Sequence, residues 1–311
     1  MSEPPIDHFG RMNAEFYAQE PADYFRDRLD LLALRVSRRD SLRDLIAEGL
    51  AFENIRVSRA DDDPEVTEDQ VRARTTQFLI TESQVLMHHC AEALIRLFLG
   101  HMGRPECPWL EVAALQDFRV FREQLDELTN SDWPQDLRDA AADVFLGGVP
   151  AKHHAGFDAA LTTVIRVIRM LASRLSADKA LYNSAKHGMT VIGGEGSVFF
   201  VDQDGAAFTG SDGAQVVFLE RERISKREAR WHQTTKWLNP EQAVWLTQLA
   251  ITQMDALWTV ARGHYLGEPL GRIPVVTEEA VEAAANGFPR PGPLRQWRLI
   301  VATETTGQSS S

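Results

Sequence analysis

The chain has 311 residues, 44% of them hydrophobic, and its 33 basic and 45 acidic side chains leave a formal charge of −12. That length and apolar fraction suit one large packed domain or two modest ones. The charge excludes a surface that is basic overall, since it repels phosphate backbones and anionic membranes on average, so any nucleic-acid site has to be local.

The most apolar stretch, Val85 to Met102, is interrupted by His88, His89, Glu92, Arg96 and His101, and does not read as a membrane span. The first residues, MSEPPIDHFGRMNAEF, lack the basic start and apolar block of a secretory signal. Cys90 and Cys107 are too few for a disulfide scaffold and lack metal-ligand spacing. Together these features lead to the expectation of a cytoplasmic protein without a membrane partner.

Apolar residues at helical spacing predict helices from Pro21 to about Val36 (Phe25, Leu29, Leu32, Val36) and from Asp40 to about Ser58 (Leu42, Leu45, Ile46, Leu50). RADDDP, residues 59–64, reads as a solvated acidic hinge. Thr67 and Gln70 then offer a capping box for a long helix reaching Met102, which Gly103 and Pro105 end. Further helices are predicted over Trp109 to Leu128, Asp136 to Phe145 and His153 to Leu175, with Ser176 capping a last one that carries LYNSAKHG. Short joints between amphipathic helices favour antiparallel neighbours, so the middle of the chain reads as an up-and-down bundle.

After Gly188 the pattern changes. Runs of Val, Phe and Ile separated by Gly-Gly, Asp204-Gly205 and Asp212-Gly213 predict three or four antiparallel strands joined by tight turns. Asn239-Pro240-Glu241-Gln242 opens a helix to about Tyr265. A short helix over Thr277 to Asn286, a strand over Gln296 to Ala302 and a disordered end complete the chain. The fold class expected is mainly α, an up-and-down helical bundle with a small antiparallel β meander or hairpin insertion. Its parts are N-terminal helices and an acidic linker (1–64), the bundle (65–190), the β segment (191–230), C-terminal helices and a strand packing on the bundle (231–302), and a tail (303–311).

The densest polar cluster is Leu181 to Met189, LYNSAKHGM. In a helix, Asn183 shares a face with Lys186 and His187. An amide, an ammonium and an imidazole together can hold a phosphate or move a proton near neutral pH. The same residues also have a structural use: Gly188 suits the left-handed end of a helix, where Lys186 and His187 favour the negative pole of its dipole.

Two stretches resemble the HEPN superfamily of helical bundles over about residues 70 to 190. One is TESQVLMHHCAEALIRLFLGHMG, with an Ala91-Glu92-Ala93-Leu94 core followed by Gly100 and Gly103. The other is Tyr182-Asn183-Ser184-Ala185-Lys186-His187-Gly188, in which Asn183, His187 and Gly188 fit the polar residue, His and Gly that follow the family's late Arg. Tyr182 stands where the Arg falls, leaving Lys186 or Arg174 as the substitute cation. The resemblance implies metal-independent RNA cleavage where two bundles meet, with His187 as acid/base and Asn183 and Lys186 positioning phosphate. RNA is the partner it implies.

A competing expectation is a noncatalytic interaction protein: a homo-oligomer, or a chain whose β segment offers an edge or face to another protein. A third arrangement, His88, His89 and Glu92 with His153 or His154, has no familiar metalloenzyme spacing and reads as structural polar pairing. No metal or cofactor is assigned. GGEGSV and DQDG read as turns, and Trp231, Trp237, Trp245 and Trp258 read as packing residues on and before a helix.

Overall fold

The computed structural model describes residues 8–38, 41, 44, 50–52, 55–57, 67–150, 155–186, 190–201, 207–225, 228–289 and 292–305. The chain is mainly helical with a small antiparallel sheet, and it divides into two compact units. The first comprises Met1–Asp27, Leu86–Lys179 and Gln242–Phe288. The second comprises Arg28–Val85, Ala180–Glu241 and Pro289–Ser311.

The helices are α1 (Phe9–Tyr17), α2 (Pro21–Ser37), α3 (Glu68–His101), α4 (Pro108–Ala114), α5 (Phe118–Leu128), α6 (Gln135–Leu146), α7 (Ala155–Ala177), α8 (Lys179–Lys186), α9 (Pro240–Leu266) and α10 (Glu278–Asn286). Two start as the sequence specifies. Thr67 and Gln70 form the capping box of α3: the Thr67 backbone N–H donates to Gln70 Oε1 at 2.9 Å, and the Gln70 N–H to Thr67 Oγ1 at 3.3 Å. Thr277 caps α10 by accepting from the Ala280 N–H.

Elsewhere the local structure departs from expectation. In the segment expected as one helix from Asp40 to about Ser58, Ser41 and Asp44 are helical, and the later described residues form the antiparallel pair β1 (Leu50–Phe52) and β2 (Ile55–Val57). The hairpin takes the end of the segment, where Leu-Ala-Phe and Ile-Arg-Val alternate, while the described residues at its start are helical. The expected helix from Trp109 to Leu128 is split into α4 and α5, because Asp117 turns out of the first and caps the second through the Arg119 N–H. Ser176 lies inside α7, and the break before α8 falls at Asp178.

In the first unit, Phe98 of α3 packs between Trp133 and Phe145, with ring centroids 6.1 and 5.4 Å away. Fully buried Cys90 directs its thiol at the Thr247 carbonyl of α9. Arg26 forks onto Asp255 through two bonds of 2.9 and 3.1 Å.

The second unit is built on a four-stranded antiparallel sheet in the order β3 (Val191–Glu195), β6 (Ala214–Arg223), β7 (Glu228–Trp237), β8 (Gln296–Thr305). A pair of strands, β4 (Val198–Val201) and β5 (Ala207–Ser211), continues the β3/β6 ladder beyond a joint where Gly196 and Gly213 exchange backbone hydrogen bonds. Gly193 and Gly194, expected as a turn, thus sit within β3, and Asp212-Gly213 forms the joint in place of a hairpin turn. Asp204-Gly205 lies outside the described residues. Gly193 is required by close approach, since a Cβ there would stand 2.9 Å from the Gln77 carbonyl of α3. Beneath the sheet, Val216 and Phe218 pack with Ile80, Leu181 and Leu238.

Candidate functional site

The last turn of α8 carries the polar cluster read from the sequence. Tyr182 and Leu181 face inward and are buried, Asn183 is half-buried and Lys186 is exposed. The Lys186 ammonium stands 5.3 Å from the centre of the Tyr182 ring, within range of a cation–π contact. His187 and Gly188 lie outside the described residues. The chain is described again at Thr190, whose N–H and hydroxyl both donate to the Ser184 carbonyl, at 3.1 and 2.9 Å. Asn183 and Lys186 therefore belong to one helical turn, while the Tyr182 side chain is buried. Arg174, the other substitute cation, donates to Gln242 Oε1 at 2.7 Å.

The histidine cluster of α3 separates. His88 Nε2 lies 3.4 Å from Asp178 Oδ2, with both side chains 1% exposed. His89 meets the edges of the Tyr24 and Phe25 rings, and Glu92 accepts two bonds from Arg96. Among the described residues no group of three or more His, Cys, Asp or Glu is placed to hold a metal ion. His153 and His154 lie outside them.

Two features lie beyond what the sequence singled out. The first is the outer face of the four-stranded sheet. Alternation in β6 and β7 turns Val216, Phe218, His232 and Thr234 inward, all buried. The opposite face carries the cross-strand rows Ile192, Val217, Thr235, Trp297 and Leu219, Gln233, Leu299. Ile192 is 68% exposed, Leu219 52%, Trp297 47% and Leu299 56%. A third row, Arg221, Trp231 and Ala302, and a fourth, Arg223, Ala229 and Glu304, follow at the end of the face. There Glu304 takes two bonds from Arg221 and one from the Trp231 indole, which hold its carboxyl below the usual range, the indole bond first. The face thus has an aromatic and aliphatic centre, with Arg221, Arg223 and Glu304 gathered at one end.

The second feature is an aromatic cluster in the first unit. The Tyr17 hydroxyl bonds His101 Nε2 at 2.8 Å, and His101 Nδ1 lies 2.6 Å from the Leu97 carbonyl. That carbonyl can only accept, so Nδ1 carries the proton and Nε2 accepts from tyrosine. Burial depresses the His101 pKa to about 4 against the opposing Leu97 bond, which leaves a neutral imidazole. Tyr265 stacks on Tyr17 with ring centroids 5.6 Å apart, and Trp258 closes the cluster. Beside it opens a cavity of about 210 Å³.

No family model matches the chain, and no curated protein or solved structure matches it. No helix among the described residues is long and apolar enough to cross a membrane.

Proposed function

We propose that the chain is a noncatalytic interaction protein that self-associates through the outer face of its four-stranded sheet. The observation that carries this reading is the exposed set Ile192, Leu219, Trp297 and Leu299, which share two adjacent cross-strand rows with Val217, Thr235 and Gln233. Exposed aliphatic and tryptophan side chains on adjacent rows resemble the centre of a protein interface.

Charge selects the occupant. A molecule of charge −12 repels its own copy at a distance. A face on which two copies meet must therefore keep charge away from its centre, and on this one Arg221, Arg223 and Glu304 stand at one end, with Arg221 paired to Glu304. Symmetric pairs of identical chains are also the commonest assembly.

The sheet edge is the poorer docking element. The β7/β8 register shifts between Trp231 and His232, with Val301 as the extra residue of β8, and a bulge of this kind blunts an edge against strand addition. The test is the association state of the intact protein beside Leu299→Asp, which puts a carboxylate at the centre of the face in each copy.

A second reading is an RNA-directed role for a HEPN-like, up-and-down bundle, with His187 as acid/base. It is favoured by Asn183 and Lys186 on one turn of α8, immediately before His187. It is weakened by the buried Tyr182 in place of an Arg and by the acidic surface. Metal-independent cleavage of RNA that His187→Ala abolishes is its test.

A further inference from the structure

Two identical faces that meet about a two-fold axis must match themselves: if one residue of a protomer touches a second residue of its partner, that second residue touches the first in return. The outer face of the sheet has rows of this kind. In the order β6, β7, β8, one row reads Leu219, Gln233, Leu299 and another Arg223, Ala229, Glu304. About β7 the first row is symmetric, with a leucine on either side, and the second is opposite in charge across a small residue.

A half-turn about a line along β7 lays β6 of each copy over β8 of the other. Leucine then falls on leucine in one row, and arginine on glutamate in the other. The strand directions stay aligned, as in sheets packed face to face about 10 Å apart, a gap that a guanidinium and a carboxylate span from facing layers. Ile192, on β3, comes one strand spacing of about 4.8 Å to the side of the partner's β8, within reach of the partner's Trp297.

The other simple axes lose a match. One between β6 and β7 puts Leu219 on the partner's Gln233 and leaves Glu304 facing no strand, because β3 begins opposite Phe218 and does not extend to the level of Arg223. One across the strands sends each charged row to the far end of the partner's sheet, where Arg223 and Glu304 do not meet.

Both charged groups have capacity for a further bond. Arg223 donates through Nε to the Ser225 carbonyl at 3.2 Å, and its terminal nitrogens have no partner among the described residues. Glu304 accepts three bonds within its own chain, from Arg221 and Trp231, and its side chain stays half exposed. A carboxylate offers about four lone-pair sites, so one more donor can approach.

We infer, on the basis of the self-association proposed above, that the two copies pair about a two-fold axis running along β7, with Arg223 of each protomer ion-paired to the partner's Glu304 and Leu219 resting on the partner's Leu299. The charged row then fixes the alignment of an interface whose centre is apolar.

The experiment is sedimentation velocity of the full chain as Arg223→Glu and as Glu304→Arg, each alone and mixed in equal amounts, beside the parent, with a fluorophore on one variant to report mixed dimers. Each reversal alone sets like charges on each other at both pairs and should weaken dimerisation about tenfold or more. The mixture should recover dimers of one chain of each kind at nearly the parent's affinity, because both pairs across the interface are then opposite in sign. Whatever a reversal does inside its own chain persists in the mixture, so recovery reads the contact between copies. If the parent dimerises but the mixture associates no better than the separate variants, or either variant alone dimerises as well as the parent, the axis is overturned while self-association stands. A parent that is monomeric at every concentration overturns self-association, and the axis with it.

Discussion

His88 of α3 and Asp178, the single residue between α7 and α8, meet with Nε2 3.4 Å from Oδ2 in a fully buried pair. The Asp178 N–H still donates to the Arg174 carbonyl at 2.9 Å, so the last turn of α7 is completed while the side chain turns inward. Removing one member takes a polar contact from the other at a site closed to water. Asp178→Ala should therefore lower unfolding free energy by about 3 kcal/mol, measured in urea, whereas Asp136→Ala in the first turn of α6 should change it by well under about 1 kcal/mol.

The Tyr17–His101 pair makes stability depend on pH. The folded imidazole holds its pKa near 4, while an imidazole in the unfolded chain titrates near 6.5. Above about pH 6.5 neither state binds the proton and the contribution is complete. As pH falls from there toward 4, the unfolded chain takes up a proton that the folded one refuses, and stability declines by about 3 kcal/mol. Urea titrations between pH 7 and pH 4 should show this slope, and His101→Gln should lose its share of it.

The capping box of α3 is exposed and local, so its removal isolates one term. Thr67→Ala should cost about 1 kcal/mol of stability, read as a lower urea midpoint at unchanged slope. Gln70→Ala should cost less, since only the reciprocal bond to the Thr67 N–H is lost.

How far the sequence discloses these features follows from how local their causes are. The capping box, the start of α2 at Pro21 and the strand at Gln296 depend on neighbours a few residues away, and the structure places them as the pattern specifies. Strand β7 is different. Glu-Ala-Arg-Trp-His-Gln-Thr-Thr-Lys-Trp has weak alternation of its own, and becomes a central strand because β6 and β8 flank it, the latter from some 60 residues downstream.

The sites depend still more on distance in the chain. His88 and Asp178 are 90 residues apart, Tyr17 and His101 are 84 apart, and Arg104, just past the end of α3, lines one cavity with Tyr265 of α9. No spacing rule joins such residues. One signal was available for Arg104: a residue after Gly103, at the end of a long helix, is a place where the chain must turn sharply. The sheet face was partly legible as alternation, but only register shows that Ile192, Leu219, Trp297 and Leu299 lie on the same side.

Cleavage chemistry separates the two functional readings. With EDTA present and a mixed pool of structured RNAs, an interaction protein leaves the RNA intact in both the parent and His187→Ala. Cut ends produced by the parent alone would transfer the assignment to the RNA-directed reading and to the turn carrying Asn183 and Lys186.

The most direct measurement is sedimentation velocity of the parent and of Leu299→Asp over a wide range of concentrations, with circular dichroism and melting to match their folding. The parent should sediment as a dimer, and Leu299→Asp as a monomer of unchanged fold, its association weakened by about 2 kcal/mol or more. A parent that stays monomeric throughout, or a variant that dimerises as well as the parent, would contradict self-association through the sheet face.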